Sequence, residues 1–172
     1  MTTVVTARLI HARAEKVWSV ISDFNNVDRF HPFVASADAI TEREKGVGAQ
    51  RQCNLYNNSS AIEEVVAWDE GRSFTVALRN AKPPFGDTVG KMGVDVIDAS
   101  TSRVYVETTY VPAWGRAGRV LDVFVLRTVL RLVLGHVLRS LKRHIEQGHL
   151  IGKGGKMLMI PSPKSASGQS TS

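Results

Sequence analysis

Residues 116–147, RAGRVLDVFVLRTVLRLVLGHVLRSLKRHIEQ, decide the fold of this chain, because their apolar positions recur with the period of about 3.6 residues of an α-helix. The pattern predicts one long helix over 116–147 that ends at Gly148, since glycine readily adopts the left-handed conformation that follows many helices. Charged residues such as Arg127 and Arg131 make the segment too polar to span a bilayer as a free helix. The predicted core stripe consists of Val123, Leu126, Val129, Leu130, Val133, Val137, Leu141 and Ile145.

The chain before this helix follows the two-residue period of β-strands. Strand patterns cover 2–10 and, after helical turns over 15–21 and 26–30, six segments at about 34–43, 46–56, 60–68, 72–80, 90–98 and 102–111. Turn signals such as Asn57-Asn58 separate these segments. The order predicts an α+β domain over residues 1–148, in which a curved seven-stranded antiparallel sheet wraps around the C-terminal helix. A cavity between the two layers is expected, and cavities bind ligands.

Composition limits the remaining possibilities. The chain has 172 residues, 43% hydrophobic and 22% charged, which is typical of one globular domain. Its single cysteine, Cys53, excludes an intramolecular disulfide, a cysteine-based zinc site and an iron–sulfur cluster. Residues 149–172 are rich in Gly, Ser and Pro, and their composition predicts a disordered basic tail. Residues 1–8 lack the apolar run of a signal peptide, which favours a cytoplasmic location.

The basic charge is concentrated in the C-terminal third. Residues 116–147 contain seven Lys/Arg and two Asp/Glu, whereas residues 1–115 contain 12 and 14. One interpretation is contact with an anionic membrane, with Leu121, Phe124 and Leu132 shallowly inserted. The favoured one is a solvated helix face, or the interface of a homodimer. Nucleic-acid binding is not expected, because few aromatic residues accompany the charge and no binding motif does.

Four segments carry a resemblance to a known family: ARAEKVWSVISDF at 12–24, GVGAQR at 46–51, EEVVAWD at 63–69 and LRSLKRHIE at 138–146. In this order they resemble the START-like, polyketide cyclase/dehydrase (SRPBCC) superfamily, which has the helix-grip fold. The resemblance implies a cavity protein for apolar small molecules such as lipids, quinones, polyketides or hormones. It does not imply one chemistry, which must be argued from the site.

The resemblance also implies which side chains face the cavity. In the resembling hormone receptors, an acidic residue at the start of the EEVVAWD strand faces the ligand, and here that residue is Glu63. If the loop before this strand has an odd number of residues, Arg51 of the preceding strand also faces inward. A shift of one residue in the register of the two strands would turn Gln52, Asn54 and Tyr56 inward instead. On the last strand the resemblance turns Glu107 inward with Tyr105 and Thr109. Hydrophobicity alone favours Val104, Val106 and Thr108, and we prefer the resemblance.

These arguments give a predicted ligand site and three candidate catalytic residues, which are Glu107, Glu63 and His31. We expect Arg51 to pair with Glu63 and to offer its free donors to a ligand carbonyl or carboxylate, and Cys53 to be a small buried hydrophobe. The predicted ligand-binding residues are Arg51, Cys53, Leu55, Glu63, Val65, Phe74, Val76, Leu78, Phe85, Met92, Val94, Tyr105, Glu107, Trp114, Val129, Val133 and Val137.

The predicted function is non-catalytic binding or transport of a hydrophobic or amphipathic small molecule, such as a lipid, a quinone or a polyketide-like compound. The alternative is a polyketide aromatase/cyclase or dehydratase-type enzyme that uses an inward carboxylate as general acid/base. No cofactor or metal is expected, because the sequence has neither a phosphate-binding loop of the usual spacing nor a metal-ligand cluster.

Overall fold

The computed structural model of the chain describes residues 1–79, 85–112 and 125–158. Nine strands and two α-helices lie in these ranges. The strands are β1 Thr2–Ile10, β2 Val34–Ala39, β3 Gln50–Leu55, β4 Ser60–Asp69, β5 Ser73–Arg79, β6 Phe85–Val96, β7 Ser102–Pro112, β8 Leu150–Ile151 and β9 Met157–Leu158. The helices are α1 Ala14–Ile21 and α2 Arg127–Gln147, with short 3₁₀ helices at Phe24–Arg29 and Lys153–Gly155.

Seven strands form one antiparallel sheet in the order β1-β7-β6-β5-β4-β3-β2. The predicted α+β helix-grip architecture is therefore confirmed. Strand β3 begins at Gln50, four residues later than the period predicts. The reason is local: Gly46 and Gly48 have φ angles of 84° and 90°, a left-handed backbone that interrupts a strand.

The two α-helices cover the inner face of the sheet. Helix α1 buries Val17 and Trp18, and α2 buries Leu138, Leu141 and Ile145. The core between sheet and helices contains these apolar side chains, and each one removed from water favours the folded state. No helix within the described ranges is long and apolar enough to cross a membrane.

Helix α2 is described from Arg127 onward and keeps most of the predicted stripe, since Val137, Leu141 and Ile145 are buried. Leu130 and Val137 of the stripe line the cavity, as does Leu134, which the prediction omits, whereas Val129 is 49% exposed. The C-terminal end is as predicted: Gly148 has a φ of 71° and donates its N–H to the carbonyl of His144 at 2.9 Å.

The first part of the predicted tail is ordered. Strands β8 and β9 form a hairpin over 150–158, where composition predicts disorder. Ile151 is buried, and the N–H of Gly154 donates to the carbonyl of Pro32 at 2.8 Å. Tertiary contacts hold this segment, and composition alone does not reveal such contacts.

Candidate functional site

A cavity of about 590 Å³ lies between the inner face of the sheet and α2. This volume falls within the range of roughly 300–1,000 Å³ that small-molecule sites occupy. Its wall is largely apolar. The lining residues are Ile21, Val27, Phe30, His31, Arg51, Leu55, Asn57, Ser59, Ser60, Ala61, Glu63, Phe74, Val76, Leu78, Thr88, Gly90, Lys91, Met92, Val106, Thr108, Leu130, Leu134 and Val137.

One end of the cavity reaches solvent at the β3–β4 turn. Asn57, Ser59 and Ser60 line the cavity and are exposed, so this turn forms part of the entrance. Asn58 holds the turn in shape with a φ of 64°, a left-handed conformation that asparagine tolerates. The loop is odd-membered, since Asn54 pairs with Ser60, and this register turns Arg51 inward.

A buried ion pair forms the polar part of the wall. Arg51 of β3 lies directly opposite Glu63 of β4, and its Nε donates to Glu63 Oε2 at 2.8 Å. A second guanidinium nitrogen of Arg51 donates to the same oxygen, and the third donates to the carbonyl of Phe24. The guanidinium carbon also lies 4.0 Å from the centroid of the Phe24 ring. The side chains of Arg51 and Glu63 are 7% and 19% exposed, which makes this pair far less hydrated than a surface salt bridge.

His31 completes the polar pole, which we define as His31, Arg51 and Glu63. His31 is half-buried: protein atoms surround most of the ring, and the part that lines the cavity is accessible to a ligand. Burial lowers the pKa of His31 to about 4; the nearby Glu63 carboxylate opposes this change and Arg51 adds to it. The backbone N–H of Phe33 points at His31 Nδ1 at 3.4 Å. The ring is therefore neutral at pH 7, with Nε2 carrying the proton.

Cys53 lies next to this pole without lining the cavity. Its Sγ is 3.8 Å from Glu63 Oε2. Burial, followed by the charge of Glu63, raises the pKa of the Cys53 thiol to about 12. A thiol that stays protonated is a poor nucleophile, so Cys53 contributes packing.

The structure brings most of the predicted site residues to the inner face. The cavity wall includes His31, Arg51, Leu55, Glu63, Phe74, Val76, Leu78, Met92 and Val137. Three further predicted residues, Cys53, Val65 and Val94, are buried in the core without lining the cavity. Val129 and Val133 do not line it. The side chain of Phe85 and all of Trp114 lie outside the described residues.

The preferred orientation of β7 is wrong. Val104 and Val106 are buried at 0% and 7% exposure, and Val106 lines the cavity. Tyr105 and Glu107 therefore point to the outer face, where Glu107 pairs in register with Lys91 of β6. Burying the two valines is favourable, whereas turning Glu107 inward would bury an unpaired charge. Glu107 is thus removed from the candidates for acid–base chemistry inside the cavity.

Several wall residues were missed by sequence reasoning. Leu130 belongs to the predicted core stripe but not to the predicted ligand site. Leu134, four residues further along α2, belongs to neither, although this spacing was available in the sequence. Val106 and Thr108 were the choice that hydrophobicity favoured. The wall residues from the segment before β2, Val27 and Phe30, have no periodic signal, because the 3₁₀ helix that contains Val27 is short. Among the described residues, no group of three His, Cys, Asp or Glu side chains is placed to hold a metal ion.

Comparison with known proteins agrees with this fold. A family model described as polyketide cyclase/dehydrase and lipid transport matches residues 1–146. No curated protein matches the chain.

Solved structures share the fold at low sequence identity. The XoxI protein of Bacillus cereus is 20% identical with a TM-score of 0.70, over 87% of this chain and 99% of that one. A START superfamily protein of Mycobacterium smegmatis is 15% identical with a TM-score of 0.67, over 84% and 97%. The di-domain ARO/CYC protein BexL, from the BE-7585A biosynthetic pathway, is 18% identical with a TM-score of 0.66, over 85% and 47%. These likenesses show the fold alone.

Proposed function

Since the chain belongs to the polyketide cyclase/dehydrase and lipid transport family, we propose that it binds a hydrophobic or amphipathic small molecule, such as a lipid, a quinone or a polyketide-like compound. The ligand occupies the cavity between the sheet and α2. The observation that carries this proposal is a cavity of about 590 Å³ with apolar walls and one polar pole. A cytoplasmic location remains a prediction.

Apolar burial supplies the binding energy. A ligand that buries roughly 300 Å² of apolar surface gains about 7.5 kcal/mol at about 25 cal/mol per Å². Association costs several kcal/mol, so a rigid ring system or a long chain is needed for useful affinity. The polar pole then sets the orientation of the ligand, because a buried polar group without a partner is costly.

The first experiment is native mass spectrometry of the purified protein, combined with organic extraction of any retained compound. We expect an adduct or the uptake of an uncharged naphthalene dye, N-phenyl-1-naphthylamine. Gly90→Leu is the blocking variant: a Cβ at Gly90 would meet only Val76, at 3.5 Å, so the new side chain extends into the cavity. Gly135→Leu is the matched control, because a Cβ at this helix position meets nothing within 4 Å.

The two variants separate cavity binding from surface binding. Gly90→Leu should reduce dye uptake at least about tenfold, while Gly135→Leu should leave it unchanged. If the dye binds both variants equally well, it does not occupy the cavity. If neither dye nor retained compound is found with the parent protein, the proposed function is wrong.

A second candidate function is acid–base catalysis of the cyclase or dehydratase type. The observation that favours it is a neutral imidazole, His31, in the same wall as the Glu63 carboxylate. The test is exchange of the α-hydrogens of 2-tetralone for deuterium, followed by NMR. Catalysis predicts exchange faster than in buffer and a loss of that acceleration in Glu63→Gln. An exchange rate equal to that in buffer would reject this candidate.

We also propose a membrane contact for the outer face of α2. Val129 and Leu132 of α2, and Val125 just before it, recur at helical spacing, and Leu132 is 70% exposed. Arg131 and Arg139 are exposed on the same helix. Exposed apolar residues beside basic ones suit a surface of anionic lipid, where each basic residue contributes roughly 1 kcal/mol. Arg116, Arg119, Leu121 and Phe124, which belong to the same predicted surface, lie outside the described residues.

Sedimentation with vesicles tests this contact. We expect binding to phosphatidylcholine vesicles that contain about a third phosphatidylglycerol, and loss of binding in the double variant Arg131→Glu/Arg139→Glu. Arg43→Glu/Arg72→Glu is the control. It changes the net charge by the same amount as the test variant, but at two exposed arginines outside the helix. Equal losses in both variants would show a nonspecific charge effect. A dimer that Leu132→Glu dissociates would assign the face to a second copy of the chain instead.

A further inference from the structure

The charges that border the cavity balance one another. Among the described wall residues, Arg51, Glu63 and Lys91 carry charge. The Nζ of Lys91 lies 5.9 Å from the centroid of the Tyr105 ring, and both residues belong to the outward-facing positions of β6 and β7. Only the backbone side of Lys91 therefore borders the cavity. The interior is left with one positive and one negative group, paired with each other.

Every nitrogen of the Arg51 guanidinium already donates one hydrogen bond to the protein. All three guanidinium nitrogens donate to protein oxygens, two to Glu63 Oε2 and one to the Phe24 carbonyl. The guanidinium also lies over the Phe24 ring. Each of the two terminal nitrogens keeps one further N–H, but a ligand carboxylate that accepted from these groups would lie beside the negative charge of Glu63, which opposes its binding.

Glu63 offers an acceptor to the cavity. Every hydrogen bond that the described residues give it ends on Oε2. Oε1 therefore keeps its lone pairs for another donor. His31, in the same wall, has its Nδ1 occupied by the N–H of Phe33, which leaves Nε2–H as a neutral donor. The pole thus combines one carboxylate acceptor with one imidazole donor.

Resting on the proposed function, we infer that the cavity selects an uncharged ligand whose polar group is a hydroxyl, phenol or enol, and that it rejects a carboxylate on the same skeleton. The hydroxyl donates to Glu63 Oε1 and accepts from His31 Nε2. Glu63 is the specificity-determining residue, because its charge neutralises Arg51 and repels an anion. Hydrogen bonds to charged groups are the stronger ones, and a like charge in a poorly hydrated wall is repelled.

Three probes with one skeleton test this inference: pyrene, 1-hydroxypyrene and 1-pyrenecarboxylate. Their affinities are measured by fluorescence titration at pH 7. We expect 1-hydroxypyrene to bind on the order of tenfold more tightly than pyrene, and 1-pyrenecarboxylate to bind more weakly than pyrene. Binding of 1-pyrenecarboxylate as tight as that of 1-hydroxypyrene, or tighter, would overturn the inference.

The variant Glu63→Gln should reverse the selectivity. It leaves Arg51 as the one uncompensated charge in the wall, so the affinity for 1-pyrenecarboxylate should rise about tenfold or more and that for 1-hydroxypyrene should fall. Glu64→Gln is the matched control: Glu64 is the next residue of β4, and its Oε2 accepts from Arg79, an exposed residue. An unchanged preference in Glu63→Gln would assign selectivity to another part of the wall.

The results distinguish ligand binding in the cavity from the preference for a hydroxyl over a carboxylate. If no probe binds, including unsubstituted pyrene, the proposed function fails and the inference fails with it. If pyrene binds and the carboxylate binds best, the cavity function stands and the inference is overturned. Should Glu63→Gln not fold by circular dichroism, the order of the three probes on the parent protein still decides.

Discussion

The ion pair between Arg51 and Glu63 should be strongly coupled, and a double-mutant cycle measures the coupling. The changes are Arg51→Met, Glu63→Gln and the two together. Glu63→Gln leaves the Arg51 guanidinium without its anionic partner. The Arg51 side chain is only 7% exposed, and arginine does not release its proton. Removing one partner of a buried pair costs roughly 3–5 kcal/mol.

The structure places the expected loss at the lower end of that range. Arg51 keeps the Phe24 carbonyl and the Phe24 ring after the substitution, and glutamine still presents an oxygen to it. We therefore expect Glu63→Gln to lower the free energy of unfolding by about 3 kcal/mol. Arg51→Met should cost less, because the Glu63 carboxylate borders the cavity, where water can hydrate it.

The assay is urea unfolding followed by tryptophan fluorescence, and the dependence of the unfolding free energy on urea concentration is compared among variants. In the double variant neither charge is left unpaired, so its loss should be at least about 2 kcal/mol smaller than the sum of the two single losses.

A surface pair in the same sheet provides the control. Arg79 and Glu64 also lie on neighbouring strands, with Nη2 and Oε2 2.7 Å apart, but their side chains are 55% and 25% exposed. Their coupling should not exceed about 1 kcal/mol. Additive losses for Arg51 and Glu63, or a coupling no larger than that of the control pair, would refute the argument that burial makes this pair important.

Three further predictions concern single groups. Burial lowers the pKa of His31 to about 4, so the imidazole takes up a proton more readily in the unfolded chain than in the folded one. The free energy of unfolding should therefore fall by about 3 kcal/mol as the pH drops from about 6.5 to about 4. Urea unfolding of His31→Gln should lack this part of the loss. Gly93→Ala places a Cβ 2.4 Å from Tyr105 Oη and should cost about 1 kcal/mol through displacement of the ring, with no such cost in a Tyr105→Ala background. Native Cys53, with a thiol pKa of about 12, should react with iodoacetamide at pH 8 far more slowly than in urea, and fast native alkylation detected by mass spectrometry would contradict its buried position.

The parts of the fold that sequence predicts are those with a local cause. Strand and helix periods follow from which residues must be buried, and Gly148 ends α2 through a conformation that glycine favours. The Arg51–Glu63 pairing also has a local cause, because the odd-membered β3–β4 loop fixes which residues oppose each other.

The errors arise where two faces of an element are similarly apolar. On β7, Tyr105 and Thr109 compete with Val104 and Val106, and the resemblance outweighed the better physical signal. On α2, Val129 lies next to Leu130 in a segment that is apolar around much of its circumference, so the sequence does not define the inward phase sharply.

The polar pole is also a structural junction, and this decides which of its residues best reports ligand selectivity. Arg51 joins the sheet to the 3₁₀ helix through the carbonyl and ring of Phe24. The segment that follows carries His31 and Pro32, and the Pro32 carbonyl accepts the N–H of Gly154 in the C-terminal hairpin. A substitution of Arg51 therefore disturbs a packed junction as well as the charge of the cavity. Within the described residues, the Glu63 carboxylate accepts hydrogen bonds only from side chains of the neighbouring strand β3. Glu63→Gln therefore changes the charge with less change in packing than a substitution of Arg51, and is the more direct test of selectivity.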